Sequence, residues 1–323
     1  MTHVDEPALE DEATARLFEA AVQRARGTSF GVLMLLPMAA LTGWMWFSTP
    51  VLAVFMAGAL LVMMWQLLTH WMPGGSRWPA AARRLLEDEP WRETNATVLD
   101  TRGTVLALPS GEHVRVHGLP APAREVAVRA GRVWTVGPDA AGWLAVRVDG
   151  LHTPWPAQQI AARNAEPAAP TAEPVTTIWV RRLVREARGT LWLALLAAIG
   201  FVLLTVFAHA DLWLVAAAVA IGAVGVAAAA WQVRHVARLR PVGPWQRADA
   251  TVSSWTNRMQ GRADGTIAVR FPDGHRYTAH LEGVPVDLFA NAWREETLWV
   301  AGNGVVGFPD YSVIALAYLT PES

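Results

Sequence analysis

The stretch that decides the fold is residues 27–76, GTSFGVLMLLPMAALTGWMWFSTPVLAVFMAGALLVMMWQLLTHWMPGGS, which contains no Asp, Glu, Lys or Arg. A helix needs about 20 apolar residues to cross the hydrocarbon core of a bilayer. This stretch is therefore long enough for two crossings and too short for three. Ser48-Thr49-Pro50 interrupts it near the middle, because proline cannot continue a helix. The pattern predicts a transmembrane hairpin over 29–71, with spans at 29–47 and 51–71.

A second apolar stretch, residues 189–233, predicts a second transmembrane hairpin over 190–231. Its only formal charge is Asp211, which lies at the midpoint beside His209. The chain is therefore expected to cross the membrane four times, with its last two spans at 190–208 and 212–231. Pro37 is expected to kink the first span, since its ring removes a backbone hydrogen-bond donor.

Arginines flank both hairpins, and neither hairpin tip carries one. Cytoplasmic loops of membrane proteins carry an excess of Lys and Arg, so both termini and both long extramembrane segments are expected in the cytoplasm. Recognition of lipid head groups by these arginines is the alternative interpretation. We therefore predict a multi-pass protein of the cell inner (plasma) membrane. The flanking residues are Arg24, Arg26, Arg77, Arg83, Arg84, Arg181, Arg182, Arg185, Arg188, Arg234, Arg238 and Arg240.

The composition agrees with a membrane protein, because 53% of the residues are hydrophobic and only 17% are charged. The chain has no cysteine, which excludes disulfides and thiolate chemistry. All 27 basic residues are arginine, which together with abundant alanine is typical of a GC-rich bacterial genome. A net charge of −1 gives no reason to expect nucleic-acid binding. The acidic N-terminus argues against a cleavable signal peptide.

Two amphipathic helices are predicted, and each leads into a hairpin. In the N-terminal segment 1–28, Leu17, Phe18 and Val22 recur on one helical face. Acidic residues fill its first half and arginines its end, which is the order that the helix dipole favours. A similar pattern predicts the second amphipathic helix at 176–189.

Short alternating segments predict two small cytoplasmic β domains at 90–151 and 244–320, each an SH3-like or OB-like barrel. The predicted strands are 96–100, 104–108, 113–117, 125–129, 132–136 and 143–148 in the first domain, and 250–255, 266–271, 276–281, 297–301 and 312–317 in the second. Pro109-Ser110-Gly111 and Pro272-Asp273-Gly274 predict hairpin turns. The proline-rich segment 152–175 predicts a linker that does not pack.

The two halves are interpreted as copies of one unit. Four groups recur at one constant offset: Gly118-Leu119-Pro120, Val133-Trp134, Gly137 and Gly142-Trp143 return as Gly283-Val284-Pro285, Leu298-Trp299, Gly302 and Gly307-Phe308. Ala25 to Thr28 also returns as Ala187 to Thr190, and Ala96-Thr97-Val98 as Ala250-Thr251-Val252. The predicted fold class is membrane α plus small all-β. It comprises two tandem copies of an amphipathic helix, a transmembrane hairpin and a barrel, related by an axis along the membrane normal.

Residue patterns for chemistry are sparse. No nucleophile elbow, phosphate-binding glycine loop or zinc motif occurs, so we predict no catalytic, cofactor-binding or metal-binding residues and no cofactor. Histidines on predicted strands, two in each β domain, are interpreted as surface residues rather than as a shared metal site; they are His113, His117, His275 and His280. Trp134 and Trp299 are predicted to occupy the barrel interiors, with a ligand groove as the alternative.

Small residues in the fourth span predict how the hairpins meet. Helix association in lipid depends on close backbone packing rather than on the hydrophobic effect. Ala218 with Gly222, and Gly225 with Ala229, each form a pair of small residues four apart. We expect this surface to face Ala57 and its neighbours in the second span. The alternative is that the alanine content only follows genome composition.

Three short patterns carry a resemblance to known proteins: a strand that begins Ala-Thr-Val after a membrane hairpin, Phe271-Pro272-Asp273-Gly274, and the late strand Leu298 to Gly302. With these, each half resembles bacterial, in particular actinobacterial, multi-pass membrane proteins of unknown function that have a small appended β domain. The barrels also resemble the soluble domain of NfeD-type membrane proteins. The resemblance implies an accessory role and no catalytic residues.

Two function hypotheses follow. In the first, the protein is a non-enzymatic integral membrane scaffold or regulatory subunit that presents two cytoplasmic β domains to other proteins. In the second, it is an accessory or gating subunit of a membrane transport or channel assembly. The expected partners are the lipid bilayer and other membrane or cytoplasmic proteins, without nucleic acid, and a homo-oligomer is left open.

Overall fold

The computed structural model describes residues 6–20, 22, 37–44, 60, 77–101, 103–207, 212–258, 261–311 and 313–321. These residues fall into two compact units. The first unit holds the described residues of Met1–Ala25, Met72–Trp179 and Leu239–Ser323, and the second those of Arg26–Trp71 and Val180–Arg238. Most of the predicted hairpin at 29–71 lies outside the described residues, and so do the predicted packing residues Ala57 and Gly58 of the second span.

The described helices are spread over both units. They are α1 (12–20), which follows a 3-10 turn at Ala8–Glu10, α2 (37–44), α3 (Arg77–Asp88), α4 (Ala121–Ala130), α5 (Val175–Phe207), α6 (Leu212–Arg238) and α7 (Val286–Glu295). Pro37 is the first described residue of α2, so the predicted kink before it lies outside the described residues. The part of the chain that the structure describes contains one segment, Val219–Arg238, that is long and apolar enough to cross a membrane by length and composition.

The first β domain is a seven-stranded antiparallel sheet with the order β1-β5-β6-β7-β4-β3-β2. Its strands are β1 (Arg92–Asn95), β2 (Thr97–Thr101), β3 (Gly103–Ala107), β4 (His113–Val116), β5 (Arg132–Val136), β6 (Trp143–Arg147) and β7 (Trp155–Ile160). The two strands at the ends of this order, β1 and β2, are separated in the chain only by Ala96. The sheet is therefore nearly closed and barrel-like.

The second β domain has the order β13-β12-β11-β8-β9-β10-β14, and it is also antiparallel. Its strands are β8 (Gln246–Arg258), β9 (Arg262–Arg270), β10 (Arg276–Pro285), β11 (Thr297–Val300), β12 (Val305–Phe308), β13 (Val313–Leu316) and β14 (Tyr318–Pro321). Its end strands, β13 and β14, are separated only by Ala317. This sheet is therefore nearly closed as well.

The strand pairings of the two β domains correspond, although the strands break at different places. The long strand β8 pairs with β9 and β11, as β2 and β1 pair with β3 and β5. Conversely, the single strand β7 pairs with β6 and β4, as β13 and β14 pair with β12 and β10. A helix follows the third strand position in each domain, α4 in the first and α7 in the second.

Both predicted hairpin turns are confirmed. Leu108 N–H donates to the Glu112 carbonyl at 2.9 Å, and Phe271 N–H donates to the His275 carbonyl at the same distance. The glycine of each turn, Gly111 or Gly274, has a positive φ, of 83° and 89° respectively. Glycine adopts this conformation without the steric cost that a side chain adds, so the turn chemistry read from the sequence positions both hairpins.

The predicted strand at 125–129 is instead part of the helix α4. The alternation in Glu-Val-Ala-Val-Arg fits a strand, but the flanking residues favour a helix. Pro122 lies in its first turn, where the missing N–H costs little. Gly131 caps the C-terminus in the left-handed conformation, with φ of 63°. The corresponding helix α7 begins after Pro285 and was not predicted either.

The segment predicted as the linker 152–175 takes part in the first β domain. Its residues Trp155–Ile160 form β7, which joins β6 to β4 and without which the sheet does not close. The proline-rich part also packs, because Ala168 N–H donates to the Val98 carbonyl at 2.7 Å. Pro167 has no backbone N–H to donate, but the next residue, Ala168, still pairs with β2 at the end of the strand order.

The predicted boundary between the second amphipathic helix (176–189) and the third span does not appear as a break. The single helix α5 runs through both, from Val175 to Phe207. No proline occurs in this segment, and Gly189 and Gly200 are tolerated inside the helix at a modest cost.

Two apolar clusters hold the first unit together. The larger one lies inside the two sheets and contains residues of both β domains, together with Leu17 of α1. The smaller one joins Phe18 of α1 to Leu86 of α3 and to Val136 and Ala145 of the first β domain. Burying a side chain such as Phe or Leu contributes about 1.5–3 kcal/mol. The N-terminal segment is therefore a packed part of the first unit.

Candidate functional site

The N-terminus of α1 brings a carboxylate to the first β domain. Asp11 caps this helix: its Oδ1 accepts a hydrogen bond from Ala13 N–H at 3.3 Å, and its Oδ2 accepts one from the Thr14 hydroxyl at 2.8 Å. Aspartate is a favoured residue at this position, because its side chain satisfies backbone donors that the helix leaves unpaired. The backbone of the segment is fixed by Ala8 N–H, which donates to the Glu89 carbonyl at 2.9 Å.

Arg147, the last residue of β6, meets this carboxylate in a buried position. Its side chain is 3% exposed, and its Nη1 donates to Asp11 Oδ2 at 2.9 Å and to Thr14 Oγ1 at 3.4 Å. The guanidinium also lies over two indole rings, 4.7 Å from the centre of Trp91 and 5.1 Å from that of Trp134. The positive charge is thus stabilised both by the carboxylate and by the ring faces.

His152 connects this pair to the second β domain. Its backbone N–H donates to Asp287 Oδ1 at 2.6 Å, and its ring nitrogens lie 3.3 Å from Asp11 Oδ2 and 3.4 Å from Asn291 Oδ1. Asn291 Nδ2 in turn donates to the Gly150 carbonyl at 2.8 Å. Asp287 and Asn291 both lie on α7. We refer to the connected set Asp11, Thr14, Arg147, His152, Asp287 and Asn291 as the interdomain cluster.

Burial and neighbouring charges shift the pKa values of three groups in the interdomain cluster. Burial alone would raise the pKa of Asp11, but the hydrogen bond and charge of His152, the Thr14 hydroxyl and Arg147 outweigh it, and the pKa is lowered. Burial lowers the pKa of Arg147 to about 10, with Asp11 opposing this shift. Asp11 and Arg147 are therefore both ionised at neutral pH. Burial raises the pKa of Asp287, against the opposing influence of His152.

A cavity of about 180 Å³ lies next to the interdomain cluster and is lined by both β domains. Tyr311 forms one wall, and its ring approaches Gly150 so closely that a Cβ on that glycine would lie 2.2 Å from the ring. The Tyr311 hydroxyl is hydrogen-bonded to Glu295; burial and this carboxylate raise the pKa of Tyr311 to about 12. Ligand pockets are usually larger, about 300–1,000 Å³, so the cavity suits water or a small ion.

The geometry of the interdomain cluster makes it a structural connection. Asp11 contacts both Arg147 and His152, Arg147 also contacts Thr14 of α1, and the His152 ring lies near Asn291 of α7. The described residues contain no group of three or more His, Asp or Glu side chains that could hold a metal ion. What the arrangement does is join three chain segments that are far apart in sequence.

The tryptophans predicted to fill the barrel interiors are half-buried. Val133 and Leu298 precede them and belong to the large apolar cluster, and successive side chains of a strand point to opposite faces. Trp134 packs on the smaller apolar cluster, and its Nε1 donates to Asp149 Oδ1 at 2.9 Å. It also lines the 180 Å³ cavity, whereas Trp299 does not. The interior assignment was therefore wrong for Trp134, whereas Trp299 packs against the large apolar cluster although its ring is only half-buried.

The predicted packing residues of α6 have different environments. Gly222 approaches Ala198 of α5 so closely that a Cβ on the glycine would lie 2.8 Å from the Ala198 Cβ. Gly225 is exposed and has no atom within 4 Å of such a Cβ, and Ala229 is buried. The side chain of Ala218 lies outside the described residues. Contact of this surface with the second span also lies outside them and stays a prediction.

The predicted histidines do not come together in one place. His113 Nδ1 accepts a hydrogen bond from Arg163 N–H at 2.8 Å. His117 lies near Trp143, with 6.2 Å between the ring centres, and burial lowers its pKa. His275 follows the β9–β10 turn, and His280 is an exposed residue of β10.

No sequence pattern identified the residues of the interdomain cluster as a group. Only Asp11 carries a local signal, since Asp-Glu-Ala-Thr before an apolar pattern is typical of a helix N-cap. Arg147 follows four strand residues without any motif, and His152, Asp287 and Asn291 are isolated polar residues. Their partners lie more than 130 positions away in the chain, which places them beyond any local pattern.

Comparisons of this chain with protein-family models, with characterised proteins and with solved structures gave no match.

Proposed function

We propose that the protein is a non-enzymatic integral membrane scaffold or accessory subunit that presents its two β domains to other proteins. The observation that carries this proposal is the interdomain cluster. Its charged and polar side chains hold the N-terminal segment and both β domains in one unit, through contacts such as Asp11–Arg147 and His152–Asp287. A unit held together in this way offers a fixed surface, so that binding a partner costs little conformational entropy.

The proposed anchor consists of four membrane spans, with both termini and both β domains in the cytoplasm. The candidate span Val219–Arg238 supports membrane attachment, whereas the number of spans and their orientation rest on the apolar stretches and flanking arginines of the sequence. Large apolar side chains of α5 and α6 are also exposed, as expected for lipid-facing helices; they include Leu196, Ile199, Ile221 and Val224. The first hairpin enters the proposal from its sequence alone, because it lies largely outside the described residues.

We propose that the two β domains are tandem copies of one unit, and matching backbone contacts support this proposal. Ala96 N–H donates to the Gly131 carbonyl at 2.9 Å, and Ala250 N–H donates to the Glu296 carbonyl at 2.8 Å. Gly131 and Glu296 both cap a helix in the left-handed conformation, after α4 and α7. Each helix also begins after a proline, Pro120 or Pro285. The choice between an SH3-like and an OB-like barrel, and the resemblance to NfeD-type domains, remain predictions.

Orientation is tested by single cysteines, since the chain has none of its own. A membrane-impermeant thiol reagent applied to intact cells should label Ser48→Cys and Ala210→Cys, at the two hairpin tips. It should not label Ser110→Cys or Asp273→Cys, in the two β turns, until the membrane is opened. Ser110 and Asp273 are preferable to the neighbouring turn glycines, because those glycines have positive φ values that strain a side chain. Labelling of the turn positions in intact cells contradicts the proposed orientation.

The proposed interaction surface includes two exposed aromatic residues of the second β domain. Trp293 on α7 is 73% exposed and Tyr318 on β14 is 77% exposed. Aromatic residues are enriched among those that dominate protein interfaces. Partners recovered in mild detergent should be lost from the variant Trp293→Ala/Tyr318→Ala, while its unfolding temperature stays near that of the wild type.

A matched control for that experiment is Arg270→Ala/Arg276→Ala, which changes two exposed residues of the same domain. It should retain the partners. Recovery of a stoichiometric transporter or channel subunit would favour the alternative function, an accessory or gating subunit of a transport assembly. Identical recovery with wild type and the aromatic variant would contradict the proposed surface.

A further inference from the structure

The helices α5 and α6 of the second unit have a defined register. Only four residues separate Phe207 from Leu212, and so short a connection makes neighbouring helices antiparallel. The close approach of Gly222 to Ala198 then sets which residues lie at the same level. Because a helix rises about 1.5 Å per residue, distances from this contact along each helix can be compared.

One face of α5 combines an exposed tryptophan with a row of arginines. Trp192 is 64% exposed. Arg188, Arg185 and Arg181 precede it by four, seven and eleven residues, so all four side chains project from the same side of the helix. The three arginines are also exposed.

One face of α6 repeats this arrangement in the opposite chain direction. Trp231 is 68% exposed. Arg234, His235 and Arg238 follow it by three, four and seven residues, which again places them on one side. The rings of Trp231 and His235 are stacked, with 5.4 Å between their centres.

On both helices, a tryptophan and an arginine lie at similar distances from the Ala198–Gly222 contact. Trp192 and Trp231 lie about 9 Å and about 14 Å from the Ala198–Gly222 contact along their helices. Arg188 and Arg234 lie further out, at about 15 Å and about 18 Å. The order on both helices is therefore apolar surface, indole ring and guanidinium. Indole rings favour the level of lipid head groups, and guanidinium groups bind phosphate through paired hydrogen bonds.

We propose that this Trp–Arg belt, formed by Trp192, Arg185 and Arg188 of α5 and Trp231, Arg234 and Arg238 of α6, binds the phosphodiester head groups of anionic phospholipids. The inference rests on the proposed membrane anchoring and adds the class of lipid. Charge complementarity selects the occupant: residues 180–188 and 231–238 contain six arginines and one glutamate. That glutamate, Glu186, is paired with Arg182 at 2.7 Å. The net positive charge of the two segments favours a lipid with net negative charge.

The apolar surface next to the belt accommodates the acyl chains. Leu196 and Ile199 continue α5 beyond Trp192, with exposures of 63% and 48%. Val224 and Ile221 continue α6 beyond Trp231, with exposures of 70% and 64%. A phospholipid with its phosphate at the arginines can therefore lay its chains along either helix, whereas free phosphate gains nothing from this surface.

The test uses the full chain, purified in a neutral detergent and titrated with phosphatidylglycerol or phosphatidylcholine of identical acyl chains. Bound lipids are counted by native mass spectrometry. We expect a preference for phosphatidylglycerol. The variant Arg185→Gln/Arg188→Gln/Arg234→Gln should weaken phosphatidylglycerol binding about tenfold or more and leave phosphatidylcholine binding unchanged. Replacement of the same three residues by lysine should retain most of the preference, because the charge is kept.

The control variant Arg247→Gln/Arg270→Gln/Arg276→Gln removes three exposed arginines of the second β domain and should bind phosphatidylglycerol as the wild type does. An equal loss in this control, or an unchanged preference in the belt variant, overturns the proposal. Displacement of the lipid by millimolar inorganic phosphate also overturns it, since the site would then bind a free anion.

Alkaline carbonate extraction of membranes from the same cells separates this inference from the proposed function. If the wild-type chain is extracted with the soluble proteins, the membrane anchor itself is wrong. If wild type and belt variant both stay in the membrane and neither distinguishes the two lipids, only the lipid inference is wrong.

Discussion

The two β domains share one order of strand pairing, but they differ at the residue that pairs with a tryptophan. This tryptophan lies on β5 in the first domain and on β11 in the second. Trp134 pairs with Arg147, whereas Trp299 pairs with Gly307. The two partners are 147 − 134 = 13 residues apart in the first domain and 307 − 299 = 8 in the second, so the second hairpin is five residues shorter. The register therefore matches Gly307 with Arg147, and not with Gly142 as the sequence repeat predicted.

This difference shows how one of the two β domains becomes dependent on its surroundings. A glycine at the position of Gly307 brings no charge into the domain. An arginine at the equivalent position is 3% exposed and has to be compensated, because an unpaired buried charge is costly. Asp11 supplies the compensating charge from the N-terminal segment. The first β domain therefore needs a residue from outside its own sheet.

The largest effect is expected when this compensation is removed. Asp11→Ala leaves Arg147 buried without its carboxylate and removes the cap of α1, and we expect a loss of about 3 kcal/mol in stability. The measurement is the unfolding midpoint of the full chain in detergent. Asp11→Asn keeps a capping group but no charge, and should lie between the wild type and Asp11→Ala.

Glu12→Gln is the matched control, because Glu12 is the next residue and pairs with Arg16 on the exposed side of α1. Exposed ion pairs contribute about 0–1 kcal/mol, so this change should have little effect. A loss below about 1 kcal/mol in Asp11→Ala would show that Arg147 does not depend on Asp11.

The second expected effect separates the two tryptophans. Both rings are half-buried, but only Trp134 lies over the Arg147 guanidinium and donates to Asp149. Trp134→Ala should therefore lower stability by about 2 kcal/mol more than Trp299→Ala, since a desolvated cation–π contact is worth about that much. The two unfolding midpoints are compared under the same conditions. Equal losses would mean that both rings act only through apolar contact.

A smaller effect with opposite signs is expected at the two helix caps. Gly131 and Glu296 occupy corresponding left-handed positions, with φ values of 63° and 51°. A side chain in this conformation costs about 1–2 kcal/mol. Glu296→Gly should therefore stabilise the protein by about 1 kcal/mol, and Gly131→Ala should destabilise it by a similar amount. Two shifts of the same sign would contradict the correspondence of these positions.

The smallest effect is a difference in pH dependence within the interdomain cluster. The pKa of Asp11 is below its ordinary value of 3.8, so its contribution to stability is present above pH 3.8 and is lost as the pH falls towards the folded-state value. The pKa of Asp287 is raised by burial, so its charge destabilises the folded state above that pKa and the cost disappears as the pH falls. Unfolding midpoints measured from pH 7 down to pH 2 follow both groups, because the loss from Asp11 begins only below pH 3.8.

Substitution of these two residues by asparagine should change the pH profile in opposite directions. Asp11→Asn should flatten the acid-side loss of stability, whereas Asp287→Asn should steepen it and raise stability at neutral pH. The same change in both variants would show that the two carboxylates share one environment.

The elements that the sequence predicted correctly are those with local signals. The turns at Pro109-Ser110-Gly111 and Pro272-Asp273-Gly274 follow from the backbone freedom of glycine. The alternating segments 104–108 and 266–271 follow from the period of a strand, and both correspond to observed strands. The segment 125–129 shows the limit of this reasoning, because five residues that alternate fit a strand and a short helix equally well. Its helix depends on the caps at Pro120 and Gly131, which lie outside the alternating residues.

By itself, the sequence determined the composition of the chain's segments: the apolar stretches, the arginines that flank them, and two β-rich regions with matching turns. These are properties of neighbouring residues, and hydropathy and turn chemistry act over a few positions. Only the tertiary structure decided that α1 packs on the first β domain, that β7 completes its sheet, and that Asp11, Arg147, His152 and Asp287 meet. Such contacts join residues up to 141 positions apart, and their energy depends on burial and complementary charge, which arise when distant segments fold together.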